Sequence, residues 1–347
     1  MVFRGQTLGK YRIADTLGSG GFGTVYLAHD TWIDKRVALK VPHRQNLDFG
    51  DLLREPRLLA SLNHPNIVTV ITAEKQDNVF FIVMEYVPGE TLETIATTRG
   101  AIEFTESLDY TCQILNAVEH AHAQGVIHRD LRPANVFVTG DGVVKVGDFG
   151  TSRFLEIAAH GTTVIGSPPY MAPEQFEGRA VFASDLYSVG VTLYQLLTGT
   201  LPYDTPAPAD LERLRRGELA SPPSLRNPAV PAALDQIVMR ALSAEVAARY
   251  QRADDFLNEL LAARKDIVRA DQARRVARGA VRTAGAAPGG AAAIAPTPRP
   301  TPVPARTPSA LTPRPRTRDV VTGRFCWHCR KPLPARSPAC PFCGESQ

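Results

Sequence analysis

A glycine run, a lysine closing an apolar stretch, two triplets carrying carboxylates and a cluster of four cysteines are the residues of this chain that could do chemistry. Gly18-Ser19-Gly20-Gly21-Phe22-Gly23 is nearly bare of side chains, so its backbone N–H groups could approach phosphates closely. The same spacing opens dinucleotide-binding folds, where the glycines lead into a helix. Here Thr24-Val25-Tyr26-Leu27-Ala28 follows and reads as a strand, which predicts a strand–turn–strand instead. Lys40 ends the apolar run Val37-Ala38-Leu39. A cation in such a setting needs an acidic partner, and Glu55 on the next helical pattern offers one. Downstream come His128-Arg129-Asp130-Leu131-Arg132-Pro133-Ala134-Asn135, Asp148-Phe149-Gly150 and Ala172-Pro173-Glu174. Each triplet alone is easily met by chance; their order and spacing together are not.

The cysteines tell a separate story. Cys326-Trp327-His328-Cys329 and Cys340-Pro341-Phe342-Cys343 are two pairs with ten residues between them. Four thiolates on two tight turns suit tetrahedral Zn2+, and the segment is too short to fold on an apolar core. A redox dithiol is the competing reading; two pairs at this spacing favour a structural zinc ribbon over 323–347. His328 is expected to face outward. Cys112, alone on a helical pattern, reads as inert core.

These residues need elements to position them. Short strands are predicted at Val25–Ala28, Arg36–Val41, Ile67–Val70 and Val79–Met84, interrupted by a helical pattern from Leu52 to Leu62. Helical periodicity then dominates, at 106–124, 184–198, 231–242 and 253–263. The uncharged run Leu186–Tyr203 is broken by Ser188, Gly190, Gln195, Gly199 and Pro202, so it reads as a buried helix and not a membrane span. Residues 1–263 carry 31 acidic against 23 basic side chains, whereas 264–318 carry 12 basic against Asp266 and Asp271. That change of sign marks a boundary. Beyond it, 264–282 could extend the last helix, and the nine prolines of 284–318 predict an extended linker. The N-terminal residues lack the apolar stretch of a signal peptide, which predicts a cytoplasmic protein.

Taken together, the glycine run, Val37-Ala38-Leu39-Lys40, the His128–Asn135 run, Asp148-Phe149-Gly150 and Ala172-Pro173-Glu174 resemble the motif set of eukaryotic-like protein kinases, above all the bacterial (Hanks-type) serine/threonine kinases. The resemblance implies an α+β, two-lobe kinase domain over 8–263, with a strand-rich N-lobe at 8–87 and a helical C-lobe at 88–263. A basic helix extension and linker would fill 264–322. It implies that Gly18, Gly20 and Gly23 cover the ATP phosphates, and that Lys40 contacts them while paired with Glu55. Leu17, Val25, Ala38 and Phe137 would sandwich adenine. Met84 would sit at the head of a hinge, Glu85 to Val87, that bonds adenine through its backbone. Asp130 would accept the substrate hydroxyl's proton. Asn135 and Asp148 would hold Mg2+ (or Mn2+). Leu59, Val70, His128 and Phe149 would stack as a regulatory spine, Asp185 would brace the catalytic loop, and Arg249 would pair with Glu174.

Three departures qualify the match. Arg132 stands where serine/threonine kinases usually carry lysine, exchanging a point charge for a fork. Ser167 stands where threonine is commoner. Pro56 follows Glu55 directly, so Glu55 is expected at or just before a helix start, because proline fits only the first turn. Arg129, preceding Asp130, implies control by a phosphorylated loop, with Thr162 and Thr163 as the acceptors. The expected partners are therefore ATP, protein Ser/Thr substrates and a protein bound by the ribbon. The basic tail, with only Phe325 and Trp327 as aromatics beside it, is not read as a nucleic-acid binder. The alternative function is a pseudokinase scaffold working through its ribbon.

Overall fold

The computed structural model describes residues 2–21, 23–43, 45, 59–149 and 167–284, together with two short strands at 324–325 and 332–333. Glu55, Pro56, Gly150, Thr162, Thr163, Cys326, Cys329, Cys340 and Cys343 lie outside the described residues. The chain divides into two compact units, Met1–Ile267 and Val268–Gln347.

Alternation of apolar and polar residues builds the first sheet from β1 (Thr7–Leu8), β2 (Tyr11–Gly20), β3 (Gly23–Asp30), β4 (Lys35–Pro42), β5 (Val70–Gln76) and β6 (Val79–Glu85). Their order is β1-β2-β3-β4-β6-β5 and every pairing is antiparallel. Leu8, Tyr11, Ile13, Tyr26, Ala28, Val37, Leu39, Phe81 and Val83 form its buried cluster. Inside it the Tyr11 ring meets Phe81 edge-on at 5.8 Å.

A smaller antiparallel sheet follows, made of β7 (Gly89–Thr91), β8 (Val136–Thr139) and β9 (Val144–Val146). Gly89 is required there: its φ is +153°, and a Cβ would lie 2.1 Å from the Val138 carbonyl oxygen. The helical part comprises α1 (Leu92–Arg99), α2 (Phe104–Ala123), α3 (Phe182–Thr198), α4 (Leu211–Arg215), α5 (Pro223–Arg226), α6 (Ala233–Ala241) and α7 (Ala253–Ala284). Helix α3 is the uncharged run of the sequence and is buried almost all round, packed between α2 and α6. At Gly190 a Cβ would stand 2.8 Å from that of Ala241, so glycine sets how closely α3 and α6 approach.

One boundary differs from expectation. The strand predicted at Ile67–Val70 begins only at Val70. Ile67 instead bridges Val146 in parallel, Val68 N–H donates to the Val146 carbonyl and Val146 N–H to that of Asn66. Those backbone groups are thus taken by β9 before β5 starts. The last helix runs on from 263 to Ala284, through a stretch of alanine and arginine that favours helix without needing burial. Its first turns are anchored by buried Phe256, Leu257 and Leu260 and by an Arg264–Asp109 ion pair of 3.1 Å. In the second unit β10 (Arg324–Phe325) pairs antiparallel with β11 (Pro332–Leu333).

Candidate active site

The His128–Asn135 run lies between α2 and β8 and is fixed by one buried carboxylate. Asp185, on the first turn of α3, is 1% exposed. Its Oδ2 accepts the His128 backbone N–H at 2.8 Å and its Oδ1 accepts that of Arg129 at 2.9 Å. His122 Nε2 lies 2.8 Å from the same Oδ2. Burial alone would raise the Asp185 carboxyl, but His122, His128 and these hydrogen bonds hold it below the ordinary carboxylate range. Arg129 takes φ +69°, a left-handed value rare for a side-chain-bearing residue. Next to it, Asp130 carries a buried Oδ1 with no hydrogen-bond partner among the described residues. Asn135, at the end of a short 3₁₀ turn, donates from Nδ2 to the Asp130 carbonyl at 2.8 Å and to its Oδ2 at 3.4 Å. Arg132 reaches Glu93 at 3.9 Å through one guanidinium nitrogen, while its buried Nε has no hydrogen-bond partner among the described residues.

Lys40, 5% exposed on β4, donates from Nζ to Asp148 Oδ1 at 2.8 Å. The expected partner, Glu55, lies outside the described residues, so the observed ion pair is with a second motif carboxylate. Asp148 has φ +57°. Burial pushes its carboxyl up, yet Lys40, with help from His128 and Arg132, outweighs this and holds it below its ordinary value. Both residues line a cleft whose remaining wall is largely apolar, formed by Leu59, Leu62, Val70, Met84 and Phe149 among others. Leu59, Val70 and Phe149 therefore do face one space, and the His128 and Phe149 rings lie 4.6 Å apart.

Around the glycine run β2 and β3 form the expected hairpin, with Gly18 opposite Val25 and Gly20 opposite Gly23. Gly23 is demanded by the fold: a Cβ would be 2.5 Å from the Val41 carbonyl oxygen. Gly18 and Gly20 are not, since a Cβ there meets nothing within 4 Å and neither has a positive φ. A close-approaching ligand is what would need them bare. Beside them Leu17 is 46% exposed, although apolar. Val25 pairs with Lys40 and Ala38 with Met84, which puts two residues of the proposed adenine site on adjoining strands. Phe137 sits on β8 and packs so close to Gly147 that a Cβ there would be 3.0 Å from its ring. Glu85 ends β6 and Val87 follows it.

Some ties were not visible in the sequence. Glu85 Oε1 accepts from Lys145 Nζ at 2.7 Å and from Thr69 N–H at 2.8 Å. His43 Nε2 lies 2.8 Å from the Gly20 carbonyl oxygen. Gln175 donates to the Arg129 carbonyl at 2.9 Å. By contrast the Arg249–Glu174 pair is as expected: two hydrogen bonds of 2.7 Å, a third to Glu174 from Ser184 at 2.6 Å, and an Arg249 side chain with no exposure. Among the described residues no group of three or more His, Cys, Asp or Glu could hold a metal ion, and no helix is long and apolar enough to cross a membrane.

Comparison with known proteins agrees with this geometry. The family model "Protein kinase domain" matches residues 11–266. A probable serine/threonine-protein kinase of Clostridium acetobutylicum is 36% identical over 270 residues, covering 76% of this chain and 41% of the relative. Serine/threonine-protein kinase PrkC of Bacillus subtilis is 35% identical over 263 residues, covering 74% and 40%. Serine/threonine-protein kinase pkn3 of Myxococcus xanthus is 36% identical over 290 residues, covering 78% and 53%. The chain thus spans about half, or less, of the length of these relatives, and the part matched by the family model holds the clamped 128–135 loop, the Lys40–Asp148 pair and the glycine hairpin. On that match and that geometry, the chain belongs to the protein kinase family.

Proposed function

We propose that the protein transfers the γ-phosphate of ATP to Ser/Thr hydroxyls of protein substrates. The observation that carries this is Asp130: a carboxylate oxygen buried with no hydrogen-bond partner among the described residues, next to the Asn135 amide, offers an acceptor for a proton-bearing group. Asp130 takes the hydroxyl's proton and orients that oxygen, while Lys40 and Arg132 place positive charge where the phosphates lie. Asn135 and Asp148 are the residues that would hold Mg2+ (or Mn2+). They fit a hard cation, for with Asn135 Nδ2 given to Asp130 the atom it has left is an oxygen. Bound there, the ion would neutralise charge on the phosphate oxygens. Thr162 and Thr163 remain the proposed activating phosphoacceptors, with Arg129 as their counter-charge. Transfer of labelled phosphate to a basic protein, lost by a factor on the order of 10²–10⁴ in Asp130→Asn, is the expected result. Equal transfer by that folded variant would refute the reading and favour a scaffold.

For the tail we propose a structural Zn2+ held by Cys326, Cys329, Cys340 and Cys343. Support comes from the pairing of β10 with β11, because Cys326 and Cys329 fall in the connection between those strands, as a metal-binding hairpin turn requires. Metal analysis of the reduced, full-length protein should find about one zinc per chain. Absence of zinc, with the cysteines joined as disulfides, would refute it.

A further inference from the structure

The backbone just before the catalytic aspartate is held in a conformation that its own sequence disfavours. Arg129 has φ +69°, and such a residue persists only where its surroundings over-determine it. Its two dihedrals lie between two peptide planes. The preceding plane is pinned through Arg129 N–H, which donates to Asp185 Oδ1 at 2.9 Å. The following plane carries the Arg129 carbonyl, which accepts from Gln175 Nε2 at 2.9 Å. Among the described residues, that plane's other polar group, Asp130 N–H, reaches His128 Nδ1 at a long 3.4 Å. Of these two bonds to the plane that aims Asp130, the one from Gln175 is the shorter and better formed.

Gln175 is built for the task. It is 5% exposed, and both ends of its amide are used. While Nε2 reaches Arg129, Oε1 accepts the Ala172 N–H at 3.0 Å. That fixes which end faces the catalytic loop, since an amide turned over would set oxygen against oxygen. The Ala172 end belongs to the segment running from Ser167 through the Ala172-Pro173-Glu174 triplet, so one side chain joins that segment to the loop carrying Asp130.

We infer that Gln175 is a positioning residue: with Asp185 it imposes the left-handed turn at Arg129 and so sets the direction of the Asp130 carboxylate. The inference rests on the kinase reading. Two substitutions separate positioning from simple support of the turn at 172–175. Gln175→Glu, assayed across a rising pH series to the limit where its buried carboxyl has ionised, keeps the acceptor for Ala172 and at that limit loses the donor to Arg129. Gln175→Met, of similar length, loses both. In the full-length protein kcat should fall about 10- to 100-fold in both variants, as small misplacements of reacting groups do, with KM for ATP within about twofold of wild type. A Gln175→Glu enzyme as fast as wild type would overturn the inference, whether or not Gln175→Met is slow, because then only the bond to Ala172 matters. Thermal melts decide folding, and failure of both variants to fold would assign Gln175 to the fold alone. A wild-type protein that binds ATP but transfers no phosphate would instead break the kinase reading beneath it.

Discussion

The catalytic loop and the glycine hairpin sit at the same proposed site and are held in opposite ways. At 128–135 the chain gives successive backbone N–H groups to one buried carboxylate and a carbonyl to one buried amide. Gly18, Gly20 and Gly21 are exposed, and among the described residues the side-chain ties of the turn are a Ser19–Thr24 hydroxyl pair at 3.1 Å and the His43–Gly20 contact. Groups that must meet a reacting atom need geometry fixed to a fraction of an ångström. A cover over phosphates needs close approach and room to open. The two regions therefore place their stability differently: buried charge and strained backbone below, bare and open backbone above.

The largest effect expected from breaking that contrast is at the supports of the lower region. Arg249 has no exposed side-chain surface, and besides Glu174 it donates to the Ser243 and Ala244 carbonyls at 2.6 and 2.9 Å. Arg249→Met leaves the Glu174 charge without its partner, which typically costs 3–5 kcal/mol (about a third or more of a domain's stability). Urea denaturation should show it. The pH dependence should follow. Burial alone would raise Glu174, but Arg249 and the Ser184 hydroxyl lower it. A depressed carboxyl contributes stability that is present above its unfolded value of about 4.3 and is lost as pH falls through the folded one. Arg249→Met should flatten that acid-side loss, since burial is then the dominant influence left. An unchanged slope would show that Glu174 draws its stabilisation elsewhere.

The motifs were legible because each is local: a glycine run leading into a strand, a lysine closing an apolar run, a loop with one proline ending in asparagine. What they touch was not. Lys40 and Asp148 are 108 residues apart, and both Glu55 and Asp148 have the right charge, so sequence could not choose between them. Gln175 is neutral and belongs to no chemistry-bearing pattern; only the strain at Arg129, a backbone property, points to it. Lys145 and Glu85 lie on different sheets, and their pairing depends on how those sheets meet. The late start, only at Val70, of the strand predicted at Ile67–Val70 has the same origin, for competition between two sheets for one stretch of backbone leaves no trace in its alternation. Asp185 and Arg249 could be assigned by resemblance, whereas from residues alone they are two charges in apolar surroundings.

The smallest effect comes from sharpening the contrast within the upper region, between two glycines of one hairpin. Gly23→Ala must push its methyl against the Val41 carbonyl, 2.5 Å away and part of the paired backbone of β4, so the sheet has to shift. That overpacking should destabilise by about 1–3 kcal/mol and lower activity only as folding suffers. Gly20→Ala points its methyl into open space with no backbone penalty, so stability should stay within about 0.5 kcal/mol of wild type. If the hairpin covers phosphates, that methyl stands where they approach, and the affinity for ATP should fall severalfold although the fold is untouched. Thermal melts and ATP titrations of both variants make the comparison. A Gly20→Ala protein with unchanged ATP affinity would show that the open face of the turn is not where the phosphates bind, leaving the Gly20–Gly21 bareness without the role assigned to it.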